Sequence, residues 1–267
     1  LGWAVSNEKW FEPASKVINF MKLRATWGKV GNAKITGRRF AYLATIQNKG
    51  SYTFGQNGDQ SFSGLEIGEE AVDVSWETAY KWNLGLDINT LSNALSLHAD
   101  VFYDMREGIF LARGDLPWYV GMTNMPLGNL GKVKNKGFEV SAEYKKQFND
   151  EWFLSLMANC SFNRNEVVDN DVKYAYPWLD VRGQRVGQRY GYIAEKLFES
   201  DEEVAASAYQ SGDTRAGDIK YKDLNGDGKI DQYDKAPIGW GSVPEIMYGF
   251  GFSLAYKGWS LSAMFQG

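Results

Sequence analysis

The chain has 267 residues, 15% of them Trp, Tyr or Phe, with 29 Gly, one Cys, one His and a formal net charge of −4. There is no basic excess to attract nucleic acid, no cysteine pair for an internal disulfide or thiolate zinc cluster, and no set of histidines for the common zinc sites. The aromatic content also excludes a disordered chain. Mean hydropathy is −0.41 and no apolar run reaches the ~18 residues of a membrane helix. A transmembrane barrel remains open, because its strands alternate apolar and polar residues and leave the mean unremarkable.

The chain opens on LGWAVSNEKW, without an initiator Met, a basic segment or an apolar leader. It closes on WSLSAMFQG, inside an alternating run. These ends predict a piece of a longer protein. Between them, period-2 alternation dominates. Met21, Leu23, Ala25 and Trp27 share one face, against Lys22, Arg24 and Thr26. Trp82, Leu84, Leu86 and Ile88 repeat the pattern, as do Leu95, Leu97, Ala99, Val101 and Tyr103. Phe138, Val140, Ala142 and Tyr144 follow, then Trp152 to Phe162, Phe250 to Tyr256, and Trp259 to Phe265. About eight strands are predicted: 17–29, 39–47, 78–89, 94–105, 136–146, 151–163, 245–256 and 259–267. The alternation over Phe40–Gln47 is poor.

Short and long connections alternate along this series. Tight turns therefore gather at one end of the sheet and elaborate loops at the other, as in outer-membrane barrels. Greek-key crossovers in a soluble sandwich mix the two ends. Several runs reach the ~9–11 residues of a tilted transmembrane strand, whereas soluble strands average ~5–6. Tyr144, Trp152, Tyr256 and Trp259 sit beside short turns, and Tyr103, Phe138 and Phe162 beside long loops. Two aromatic bands around a Leu, Val and Ala middle match the girdles of a lipid-facing barrel. The opposite faces carry Lys22, Arg24, Lys81, Asp87, Asp100, Glu139, Glu143 and Lys145, read as solvated, mutually compensating charges of a lumen. The fold class is all-β: part of an antiparallel transmembrane barrel with short periplasmic turns and long extracellular loops.

The sharpest motif lies in the long connection 164–244. Residues 223–234 read DLNGDGKIDQYD. Oxygen-bearing side chains fall at loop positions 1, 3, 5, 9 and 12, as Asp223, Asn225, Asp227, Asp231 and Asp234. Gly228 takes position 6, where the turn is sharpest, and Lys229 at position 7 offers a backbone carbonyl. Ca²⁺ needs ~6–8 converging oxygens, and alternate residues of a tight loop supply them. The expectation is an EF-like calcium loop that rigidifies the connection, weakened by Asp234 where the standard loop has Glu. An Asn/Gly/Asp-rich turn without metal is the alternative. Trp118, Tyr119, Tyr176 and Trp178 are candidate substrate-gripping aromatics on long loops, although packing is the commoner use. His98 reads as hydrogen-bonded or solvated and Cys160 as a small hydrophobe. No catalytic constellation emerges, so the expected function is not enzymatic.

Four stretches carry a family resemblance: Leu23–Asn32 (LRATWGKVGN), Trp76–Asp87 (WETAYKWNLGLD), Asn135–Val140 (NKGFEV) and Gly217–Asp231 (GDIKYKDLNGDGKID). With Tyr248–Phe250 and Tyr256–Trp259 in the same order, the chain resembles the C-terminal part of a SusC/RagA-family TonB-dependent outer-membrane transporter. The resemblance implies a barrel of about 22 strands with an N-terminal plug, of which residues 1–267 are one part. The plug, the N-terminal barrel strands, the last strands and the TonB-contacting region lie outside it. It also implies import of oligosaccharides or peptides, a SusD-like surface lipoprotein as partner and energy from the TonB complex. The alternatives are a passive porin, which lacks a plug, and a soluble calcium-dependent glycan-binding β-sandwich, which folds without lipid.

Overall fold

The computed structural model describes residues 1–33, 43, 45–69, 74–117, 119 and 125–267. Its strands in chain order are β1 (Gly2–Ala4), β2 (Ile18–Asn32), β3 (Thr45–Phe54), β4 (Gln60–Glu69), β5 (Glu77–Thr90), β6 (Leu95–Ala112), β7 (Leu127–Gln147) and β8 (Trp152–Asp169). Then come β9 (Tyr190–Gly191), β10 (Ala194–Leu197), helix α1 (Asp201–Ala206), β11 (Ile219–Tyr221), β12 (Ala236–Pro237), β13 (Ile246–Tyr256) and β14 (Trp259–Gln266). The chain divides into two compact units. A sheet unit takes residues 1–163, 168–172 and 246–267, and a loop unit takes 164–167 and 173–245.

The sheet unit is built on one eight-stranded antiparallel sheet in the order β1-β2-β5-β6-β7-β8-β13-β14. Cross-strand register lines up the apolar faces. Leu23, Leu86, Ala99 and Val140 form one row, and Trp27, Trp82 and Tyr103 another. Leu156, Phe252 and Ala263 continue the surface across the last strands. Near the short turns, Trp152 packs on Tyr256 at 4.3 Å between ring centres, with Trp259 opposite Tyr256. At the long-loop end, Trp82 meets Tyr103 at 5.6 Å and Phe138 meets Phe162 at 5.9 Å. This face is not a core. Leu84 is 65% exposed, Val101 60% and Leu261 61%. A contiguous apolar sheet face of this extent requires an apolar medium or partner outside it.

Two strand expectations are corrected. The first is the strand at 39–47. Residues 39–42 and 44 lie outside the described residues, and 45–47 belong to β3, which among the described residues pairs with β4 in a separate hairpin. Strand β2 bonds directly to β5, with Lys22 opposite Asp87 and Trp27 opposite Trp82. The eighth strand of the sheet is instead β1, whose Trp3 lies opposite Leu23. Three residues of β1 are too few to show a period in sequence.

The second correction concerns length. β6 runs to Ala112 and β7 starts at Leu127, well past the expected limits of 105 and 136. Their ladder continues through Arg106 opposite Val133 and Glu107 opposite Lys132 to Ala112 opposite Leu127. It breaks register near Gly108, which adopts φ +69°, as an unpaired bulge residue does. Backbone pairing here outlasts the apolar alternation, which is interrupted by Arg106 and Glu107 on one strand and Lys132 and Lys134 on the other.

The loop unit is stitched from short pairings, β10 with β11 and β9 with β12. Helix α1 is capped by Ser200, whose side chain accepts the Glu203 N–H. Its apolar core is small: Phe198 and Ala236 are buried. The largest fully buried side chain among the described residues is a carboxylate, Asp234.

Candidate functional site

The 223–234 segment folds into a closed, oxygen-rich turn inside the loop unit. Gly226 and Gly228 take φ +74° and +82°, a backbone region open to glycine at little cost. Both oxygens of Asp223 accept loop amides, from Gly226 at 2.7 Å and Gly228 at 2.8 Å. Asn225 Oδ1 accepts Asp227 N–H at 3.1 Å, and Asp227 Oδ1 accepts Lys229 N–H at 2.8 Å. Asp231 caps the turn at Gln232–Asp234 by accepting Tyr233 N–H at 2.8 Å. Asp234 points back into the loop, where it accepts Leu224 N–H at 2.8 Å and Asp231 N–H at 2.9 Å. Ile230, the position 8 residue, donates its N–H to the Tyr209 carbonyl at 2.8 Å, and Tyr209 N–H returns to Gly228 O at 2.9 Å. Among the described residues no three His, Cys, Asp or Glu side chains are grouped to hold a metal ion. In this conformation the carboxylates are spent on backbone amides, which hold the turn in shape.

Two of the aromatic candidates belong to this turn. Tyr176 stacks on Trp178 at 4.8 Å and meets Tyr233 edge-on at 5.9 Å. Trp178 Nε1 donates to the Tyr233 carbonyl at 2.7 Å, and Asn225 Nδ2 lies 3.5 Å from the Tyr176 hydroxyl. Both rings are half-buried against the turn, so they brace it. Tyr119 belongs to the sheet unit and is 73% exposed. Trp118 lies outside the described residues.

A charged clasp joins the first and last segments of the loop unit. Arg164 makes a forked pair with Glu245, Nε and Nη2 each at 2.8 Å, and Arg185 Nε bonds the same carboxylate. The two guanidiniums, Arg164 foremost, hold the Glu245 carboxyl down to about 2. Arg185 also lies 4.6 Å over the Trp240 ring. The clasp was not legible in sequence: Arg164 and Arg185 are 81 and 60 residues from Glu245, beyond any local spacing rule.

On the polar face of the sheet, Arg24 bridges Asp87 at 2.9 Å and Asp100 at 2.9 Å, while His98 Nδ1 lies 2.9 Å from Asp87. A Cβ at Gly85 would fall 2.6 Å from the Arg24 guanidinium carbon, so glycine makes the room for this network. Lys145 pairs with Glu143 at 2.7 Å and Lys81 with Asp104 at 3.5 Å. Charges that would cost about 2–4 kcal/mol facing lipid compensate one another here.

With two aromatic bands, an apolar and a charged face on one sheet, and a long connection between β8 and β13, comparison with known proteins is decisive. The model of the TonB-dependent receptor-like β-barrel matches residues 9–266. The chain belongs to this family. TonB-dependent receptor P3 of Formosa agariphila is 29% identical over the whole chain, and SusC of Bacteroides thetaiotaomicron is 24% identical over 98% of it. The chain spans about a quarter of these relatives, 27% and 26% respectively. The RagAB peptide importer in its open-open state matches 99% of the chain at TM-score 0.70 and 20% identity, using 27% of the solved chain. That likeness concerns the fold. For a TonB-dependent receptor barrel, eight strands form an open segment of a larger closed wall, which accounts for the half-exposed apolar face and for the edges β1 and β14, unpaired on their outer side among the described residues.

Proposed function

We propose that this chain forms part of the wall, and one external loop unit, of an outer-membrane TonB-dependent transporter that imports large nutrients, oligosaccharides or peptides. The observation that carries the reading is the continuous apolar face between two aromatic bands, backed by a compensated polar face. A lipid belt outside and a wet lumen inside satisfy both faces at once. The likeness to SusC and to a RagAB importer supports a surface lipoprotein of the SusD type as partner and energy supplied through TonB to an N-terminal region beyond this chain. No enzymatic step is assigned to it. The test is uptake by cells carrying the intact gene. Labelled oligosaccharide or peptide should enter only with TonB and an energised inner membrane. Uptake that survives loss of both marks a passive porin instead.

We also propose that the 223–234 turn binds Ca²⁺ through Asp223, Asn225, Asp227, the Lys229 carbonyl, Asp231 and Asp234. Support comes from the spacing of the oxygen donors and the positive φ of Gly228 at the tight position. Its role is to stiffen the loop unit. Calcium titration of the intact protein should reveal a site that Asp223→Ala and Asp227→Ala both remove. Binding unchanged in both variants eliminates the turn as the ligand.

A further inference from the structure

A cleft of about 430 Å³ opens within the loop unit, beside the oxygen-rich turn. Its size lies in the ~300–1,000 Å³ range of small-molecule sites. Two tyrosines, Tyr192 and Tyr221, form one wall with ring centres 5.3 Å apart and planes tilted by 48°. Ile219 and Ile230 add apolar surface, and Ile230 is held by its backbone bond to Tyr209. The polar side carries the hydroxyls of Ser211 and Thr214, 3.1 Å apart, and the carboxylate of Asp218. Asp218 is the one acidic or basic side chain in this lining.

This combination selects by chemistry. An aromatic wall receives the C–H face of a sugar ring, and neutral hydroxyls with one carboxylate accept and donate hydrogen bonds around its rim. An anionic ligand meets Asp218, and the ammonium held 5.6 Å over the Tyr192 ring, that of Lys235, is not among the lining side chains. An extended peptide adding as a further strand is refused for a different reason. To add to β11 it must bond that strand's free edge. There, Gln210 already fills the edge, Nε2 donating to Ile219 O at 3.0 Å and Oε1 accepting Tyr221 N–H at 2.7 Å. We propose that this cleft is a binding subsite for one neutral sugar ring of an oligosaccharide substrate. The proposal rests on the importer reading above and narrows it to glycans.

The test uses the intact transporter in detergent micelles on arrays of neutral oligosaccharides, acidic oligosaccharides and short peptides. Wild type should bind at least one neutral oligosaccharide. Tyr192→Ala should weaken that binding about tenfold and Thr214→Val about fivefold, while Tyr192→Phe, which keeps the ring, should bind like wild type. A thermal melt of each variant separates lost contacts from lost folding. Binding of peptides alone, no neutral glycan bound, or neutral-glycan affinity unchanged in both Tyr192→Ala and Thr214→Val overturns the proposal. These outcomes differ from failure of the importer reading, which shows as uptake independent of TonB whatever the cleft binds.

Discussion

The two units solve opposite problems with opposite means. In the sheet unit the large apolar residues stay half-exposed, as Leu84, Val101 and Phe250 do, and regularity comes from long ladders with constant register. In the loop unit strands are two to four residues long, and the deepest side chain is the carboxylate of Asp234. The sheet is specified by the medium around it, and the loop unit by hydrogen bonds within it. A buried acceptor loaded with backbone amides determines the path of a short turn, since each unpaired amide left behind is costly.

The sharpest way to break this contrast is to remove its polar centre. Asp234→Ala strands the amides of Leu224 and Asp231. It should destabilise the loop unit by roughly 3–5 kcal/mol, read as loss of hydrogen-exchange protection over 223–234 with the sheet unaffected. On the sheet, Val101→Arg places a cation on the lipid side and should cost about 2–4 kcal/mol in unfolding from bilayers. Ser141→Arg on the opposite face should cost under about 1 kcal/mol. Equal costs at the two positions would remove the distinction between faces.

Glu245→Gln should weaken the clasp by about 1–3 kcal/mol. Its pH signature is specific. Because the folded carboxyl is held to about 2, below its usual 4.5, the clasp contributes fully above pH ~4.5 and is lost as pH falls towards 2. Protection of the loop unit should follow that window in wild type and lose this dependence in Glu245→Gln. Within the loop unit the smallest effect is expected from Trp178→Phe, which deletes the bond to the Tyr233 carbonyl but keeps the ring stacking, at about 1 kcal/mol.

Much of the sheet is legible in the sequence because lipid imposes a strict period of two. Alternation alone assigns Leu95 to Tyr103 and Phe250 to Tyr256 to one face, and the register confirms which residues line up with them. Where the belt ends, that signal ends. The paired stretches 106–112 and 127–135 and the hairpin 45–69 carry no constant apolar face, so periodicity does not reveal them. In the loop unit, the DLNGDGKIDQYD spacing marks out the turn itself, since its side chains act within a few residues of one another. Its bracing by Tyr176 and Trp178 does not show in the spacing.

The sequence by itself therefore determined the all-β class, the apolar and polar faces, the tight turns and the oxygen-rich loop, all of which follow from neighbours one to twelve residues apart. Tertiary structure alone decided that β2 pairs with β5, that Arg24 bridges Asp87 and Asp100, that Arg164 and Arg185 share Glu245, and that Gln210 seals the edge of a tyrosine-walled cleft. Most of these join side chains 60 or more residues apart, and even the shortest, from Gln210 to β11, depends on where the fold returns the strand. Only folding sets such distances, because no local propensity encodes which remote partner a strand edge or a charge will meet.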